Sequence, residues 1–350
     1  MKGSNTKELS LVTIVGRAIL ILLAAVFAYV MARGLLDNPV LFLQQVINGF
    51  QLGFVYALIA LGYTMVYGIV RLINFAHGDI FMIGAFVSYF AISNYGVTQL
   101  GILEVIGETA GPIVGTGIVI ALAMAVCAIL AVVIERVAYK PLRNAPRISA
   151  LITAIAVSFF LEYFSALDFV FTSNFIIYER PFELVVWSPI KGVTISNIMI
   201  IIVLASILFL LLLQYIVHRT KMGKAMRACS YDKSTARLMG IDVDMVISFT
   251  FALGAALAGA GGVLYAIAYP QLIVFMGIMP GLKAFVAAVL GGIGNIPGAF
   301  VGSLIMGQAE VLSAGYISTT MRDAIAFTIL IIVLIVKPTG LFGEPEGQKV

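Results

Sequence analysis

Charge is scarce in this chain. Only 11% of its 350 residues are Asp, Glu, Lys or Arg, against about a quarter in an ordinary soluble domain. With 61% hydrophobic residues and a mean hydropathy of +1.09, a soluble fold would have to bury nearly every segment in one core, which surface-to-volume scaling forbids at this size. Cysteine is almost missing as well. Cys127 lies in an apolar run and Cys229 in a basic loop, which excludes a disulfide framework. Two dispersed histidines and two cysteines form no metal site of recognisable spacing. There is no G-x-x-x-x-G-K-[ST] phosphate loop, no G-x-S-x-G, no H-E-x-x-H and no carboxylate–histidine cluster, so neither nucleotide hydrolysis nor other catalysis is expected of this polypeptide. The net charge of +4 comes from scattered basic residues without aromatic interleaving, which excludes a nucleic-acid groove.

What is present is long apolar runs. About 20 apolar residues cross a hydrocarbon core, fewer where a helix is kinked or partly embedded. Crossings are expected near 11–31, 43–67, 79–95, 113–134, 148–172, 195–217 and 245–268, then two short glycine-rich segments at 282–293 and 297–312, and a last span at 323–336. The fold class is all-α, a polytopic membrane bundle of about 8–10 transmembrane helices including short or broken spans, and the chain 1–350 reads as one membrane domain. The short pair threads either as two thin crossings or as a re-entrant hairpin around residues 291–298. Lys2 and Lys7 precede the first run, but no small-x-small cleavage site follows, so a retained first helix is expected. With the N-terminus inside, five of the 21 basic residues, Arg33, Arg180, Lys191, Lys283 and Arg322, fall outside. That imbalance predicts a cytoplasmic N-terminus in a bacterial inner membrane, and a cytoplasmic C-terminus if the short pair counts as two passes.

Two connections are not membrane-like. Residues 173–194 form a long outer loop with the single Trp187. Residues 218–240 are the largest and most basic inner connection. In the latter, Met222, Ala225, Met226 and Cys229 make an apolar stripe on a short helix. Asp232 is placed to cap a second helix ended by Gly240, and Asp242 or Asp244 to cap the next span. Such an element suits docking into a partner's groove or lying on anionic lipid; the residues alone leave both open.

Within the spans, Gly49, Gly53, Ala57 and Ala60 form a small-residue face, and Gly254, Ala258 and Gly262 repeat the spacing, as do Gly298 and Gly302. These are packing seams. Tyr56, Tyr63 and Tyr67 share another face. Asn74 to Asp79, with His77, join two spans on the inner side as a gate or as a capped polar turn. Glu162, Lys283 and Glu310 are ionisable groups at membrane depth, where they line a solute path or pair structurally.

Four stretches carry a family resemblance. INGFQLGFVYALIALGYTMVYGIVRLINFAHGDIFMIGAF (47–86), GKAMRACSYDKSTARLMGI (223–241), GLKAFVAAVLGGIGNIPGAFVGS (281–303) and KPTGLFG (337–343) resemble, in order over roughly 43–343, the permease subunits of branched-chain amino acid (LIV-type) ABC importers. The resemblance implies two permease subunits, identical or paralogous, two ABC ATPase subunits that use ATP and Mg, and an extracytoplasmic substrate-binding protein. This chain would carry no cofactor. It also implies that Gly223, Lys224, Ala225, Arg227, Ala228, Asp232, Ala236 and Gly240 dock on the ATPase. Leucine, isoleucine or valine would pass polar positions such as Asn48, Tyr63, Asn74, His77, Glu162 and Gln308. Urea- and short-amide permeases share these motifs. An ion-coupled secondary transporter using Glu162, or a passive channel, are the readings from other classes.

Overall fold

The computed structural model describes residues 28–99, 110–143 and 145–343, with Leu22, Ala25, Val26 and Gly107. Most of the expected first crossing, 11–31, therefore lies outside the described residues. Residues 28–37 are helical. Among the described residues eleven α-helices follow: α1 Pro39–Val70, α2 His77–Tyr89, α3 Ala110–Ile134, α4 Arg147–Ser165, α5 Asn197–Arg219, α6 Lys221–Tyr231, α7 Lys233–Leu238, α8 Val243–Ala268, α9 Ile278–Gly291, α10 Ile296–Tyr316 and α11 Arg322–Val336. Among the described residues, six are long and apolar enough to cross a membrane: α1, α3 with its extension to Leu142, α4, α5, α8 and α10. Helices α2, α9 and α11 are shorter, with 13, 14 and 15 residues.

The helices start where local chemistry dictates. Asn38 caps α1 by accepting from the Leu41 amide at 3.0 Å, with Pro39 in the first turn. Asn295 caps α10 by accepting from Gly298 at 2.9 Å, again with proline next. Both follow the preference for Asn as a cap and Pro at the first helical position. Helix α2 continues as a π-turn over Phe90–Asn94, and α3 as a π-turn over Glu135–Tyr139. The second π-turn leaves Glu135 and Tyr139 both buried.

Helices α1 and α8 form the centre: 78% and 72% of their most apolar stretches are buried, against 22% for α4 and α5, which face outward. The small-residue faces are the seams by which helices approach. Gly49 and Gly53 of α1 lie against Gly307, Leu304 and Gln308 of α10, and Gly254 of α8 packs on Gly62. Gly262 lies against Phe81 and Ala85 of α2. Backbones come this close because no Cβ intervenes.

The short pair at 282–312 resolves as two antiparallel helices, α9 and α10, joined through Gly292, whose φ of +107° only glycine adopts without strain. The end of α9 also binds the C-terminal segment: Leu341 N donates to Leu290 O at 2.8 Å and Phe342 N to Gly291 O at 3.0 Å. Asn295 Nδ2 completes the unit on Phe342 O at 3.0 Å. Thus the 281–303 and 337–343 stretches form one structural corner.

One expectation needs correction: the span at 148–172 ends as a helix at Ser165, and Thr172 beyond it has φ +92°. The loop 173–194 carries short strands. β2 Val186–Ile190 pairs antiparallel with β3 Val193–Ser196, and β1 Ile176–Ile177 pairs with β4 Gln271–Leu272.

Candidate functional site

One end of the bundle, here the basic end, holds the last turn of α1, the α3–α4 connection, α6–α7 and the start of α8. At this end α1 stops at Arg71 in the left-handed conformation, φ 60°. The chain then folds back instead of continuing along the surface. His77 Nε2 lies 3.2 Å from the Ile59 carbonyl, and its ring packs on Tyr63 with centroids 4.6 Å apart. Ile59 and Tyr63 stand two to three turns inside the end of α1, roughly 10–16 Å at 1.5 Å per residue. The segment expected on the inner side as a gate or as a capped polar turn lies within the bundle: α2 begins there, and His77 and Asp79 are buried. The first turn of α9 meets it there, with Gly78 packed on Gly277 and Gly281. Two short helices thus start at one depth with their amide-rich, electropositive ends together.

Polar side chains collect at this junction. Asp79 accepts from Ser158 Oγ of α4 at 2.5 Å, and Glu162 lies one turn further along that helix, buried. Asn74 is buried and accepts from Tyr139 Oη at 2.7 Å. Removing that donor leaves a buried acceptor unsatisfied, so Tyr139→Phe is expected to lower stability by about 1–2 kcal/mol. Thermal unfolding of the purified protein in detergent measures this, and an unchanged midpoint would show that Asn74 finds another donor.

Among the described residues, Lys283, Glu310, Arg322 and Asp323 pair with one another. Lys283 Nζ lies 2.7 Å from Glu310 Oε1 and 2.7 Å from Asp323 Oδ1, and Tyr56 Oη donates to Glu310 Oε2 at 2.9 Å. Arg322 joins at 3.3 Å. Asp323 and Arg322 sit at the start of α11; the sequence offered only their proximity to a span end, not the partners they meet.

At the opposite end a cavity of about 220 Å³ is lined by Gln44, Asn48, Gln51, Arg180, Thr194 and Ser196, among others. Asn48 Oδ1 accepts from Gln44 Nε2 at 3.0 Å. Gln308 lies deeper, its Nε2 donating to the Val46 carbonyl at 2.8 Å. The six polar positions named from sequence therefore divide. Asn48 faces this cavity, Gln308 braces α1 against α10, and Tyr63, Asn74, His77 and Glu162 surround the junction.

The basic connection folds as two capped helices. Thr220 accepts from Gly223 N at 3.0 Å to open α6, and Asp232 accepts from Ser234 N at 2.8 Å and Thr235 N at 3.3 Å to open α7. Asp242 caps α8 in the same way. The expected apolar stripe turns inward: Met226 and Cys229 are buried, as are Gly223 and Ala236. Gly223 packs directly on the Ile216 and Val217 carbonyls, which leaves no room for a side chain. Burial raises the Cys229 thiol pKa, and Lys233 opposes this. Ala225, Arg227 and Ala228 are half-buried; Lys224, Asp232 and Gly240 are exposed. Around them Tyr231, Leu238 and Met239 are 82%, 87% and 79% exposed, so the apolar surface offered outward lies on these three and not on the stripe.

Comparison with known proteins bears on the whole arrangement. The family model described as the permease component of the branched-chain amino acid transport system matches residues 45–334. The high-affinity branched-chain amino acid transport system permease protein LivH of Escherichia coli K12 is 43% identical over 318 residues, covering 88% of this chain and 98% of the relative. The corresponding permease protein BraD of Pseudomonas aeruginosa is 39% identical over the same shares. No solved structure matches the chain. A multi-pass membrane bundle that matches this family model over most of its length belongs to the branched-chain amino acid transport system permease family.

Proposed function

We propose that this chain is the membrane-spanning permease subunit of a binding-protein-dependent ABC importer that passes leucine, isoleucine and valine inward. The observation that carries the mechanism is the α6–α7 element. It projects charged and large apolar side chains from the basic end while its small residues anchor it to α5 and α8. The basic end then faces the cytoplasm of the cell, in keeping with the positive-inside rule, and an ABC ATPase subunit that uses ATP and Mg docks on Lys224, Arg227 and the neighbouring apolar surface. A second permease subunit completes the membrane unit, and an extracytoplasmic binding protein delivers solute to the cavity around Asn48. The route proceeds past Gln308, Tyr63, His77, Asn74 and Glu162. Movement of α6–α7 reaches the bundle through the rigid packing of Gly223 on α5.

Like charge placed across an interface costs several kcal/mol, so Lys224→Glu and Arg227→Glu are expected to cut ATP-driven uptake at least about 10-fold while the protein still inserts. Uptake of leucine, urea and short amides by the reconstituted complex, with and without the binding protein, tests both role and substrate. Normal uptake by both variants would remove the coupling assignment. Uptake by this chain alone under a proton gradient without ATP would replace the importer with a secondary transporter.

A further inference from the structure

At the basic end a cavity of about 1050 Å³ opens between α1, the α3–α4 connection, α4, α7 and α8. Five cations line it, Arg71, Lys140, Arg143, Lys233 and Arg237, against two carboxylates, Glu135 and Asp244. The carboxylates are already engaged. Arg143 bridges Glu135 and Asp244, Lys140 reaches Asp244 at 2.8 Å, and Ser248 donates to Glu135 at 2.7 Å. Among the described residues, no carboxylate lies within ion-pair distance of Arg71, Lys233 or Arg237.

Lys233 is fixed by one hydrogen bond to the Val70 carbonyl at 3.1 Å, which uses one of its three donors. Burial first, then the charges of Arg143 and Arg71, lower its pKa. Arg71 is held at φ 60°, where glycine is the usual helix terminator and a residue with a side chain is strained. A strained arginine lining one cavity with two further cations, none of the three within ion-pair distance of a described carboxylate, is the arrangement of an anion site.

The rest of the wall decides which anion. Leu142, Ile148 and Leu151 line the same cavity, and Ile148 is 65% exposed on the outward-facing α4, so the apolar wall runs onto the membrane flank. A cationic floor beside such a wall matches an anionic head with a hydrocarbon tail better than a free ion. We propose that this cavity binds an anionic phospholipid, its headgroup phosphate on Arg71, Lys233 and Arg237 and an acyl chain along Leu142, Ile148 and Leu151. The headgroup would tie α7 to the end of α1, and the proposal is independent of the solute carried.

Native mass spectrometry of the purified full-length chain tests it, with phosphatidylglycerol or phosphatidylcholine added at equal concentration. The wild type is expected to retain phosphatidylglycerol selectively. Arg71→Ala/Arg237→Ala should hold it about 30-fold more weakly, at about 1 kcal/mol per cation. Arg71→Gly separates charge from fold: it keeps the left-handed turn without strain, so retention should fall while thermal stability in detergent does not. Equal retention of phosphatidylcholine, or unchanged retention by both variants, overturns the proposal. Displacement of the lipid by millimolar inorganic phosphate would also overturn it, in favour of a soluble anion.

Discussion

Lys283→Met is expected to destabilise the folded chain by about 3–5 kcal/mol, whereas Lys283→Met combined with Glu310→Met recovers most of that loss. Lys283 and Glu310 side chains are 4% and 3% exposed and 2.7 Å apart. Taking away the lysine strands a carboxylate that has only Tyr56 and the more distant Arg322 as partners. An uncompensated buried charge is far costlier than an apolar pair of similar volume, because each ion gave up its hydration to enter the bundle. The double variant removes both desolvated charges and leaves Asp323 with Arg322 at 3.5 Å. Thermal unfolding of the purified protein in detergent reads both effects. A Lys283→Met protein as stable as the wild type would mean that water reaches Glu310 and that the pair is not dry.

Gly78→Val is expected to abolish the folded protein, and with it uptake. A Cβ on Gly78 would run into the Gly277 carbonyl and come within 3.2 Å of Gly281 Cα. Those atoms are backbone, not the flexible end of a side chain, so α2 and α9 would have to separate at the point where both begin. Overpacking of this kind costs about 1–3 kcal/mol or more in a well-packed core. Here it also displaces His77, Asp79 and the groups they hold. The control is Gly117→Ala on α3, where nothing lies within 4 Å of the added methyl; there the expected change is neutral to a gain of up to about 1 kcal/mol. Recovery of monodisperse protein after size-exclusion chromatography, followed by uptake by the reconstituted complex, distinguishes the two. A Gly78→Val protein recovered and active at wild-type level would show that α2 and α9 do not touch in the working state.

Much of the bundle was legible in sequence because its signals are local. Asp232 and Asp242 are caps because their side chains reach amides two and three residues on. The faces containing Gly49, Gly53, Gly254 and Gly262 are seams because helical spacing puts small residues on one side. Other features were misread where a local signal had two tertiary outcomes. The stripe Met222, Ala225, Met226 and Cys229 is a real helical face, but the pattern does not say whether it meets a partner or its own bundle. Gly223, seated on the α5 carbonyls, turns it inward. Likewise Asn74 to Asp79 reads equally as a gate or as a capped polar turn, and the pattern does not show that Arg71 reverses the chain and carries His77 against Tyr63. Tyr139 gave no signal, since a π-turn that buries it next to Asn74 has no mark in composition.

By itself, then, the sequence determined that this chain is built of membrane-crossing helices and where several of them are capped. Those follow from hydrophobic length and from capping chemistry within three residues. Only the tertiary structure decided which charges are paired, where the two short helices meet, and that three cations gather at one end with no carboxylate among the described residues within ion-pair distance. Each of those depends on residues tens to hundreds of positions apart, brought together by glycine seams whose partners no local pattern names.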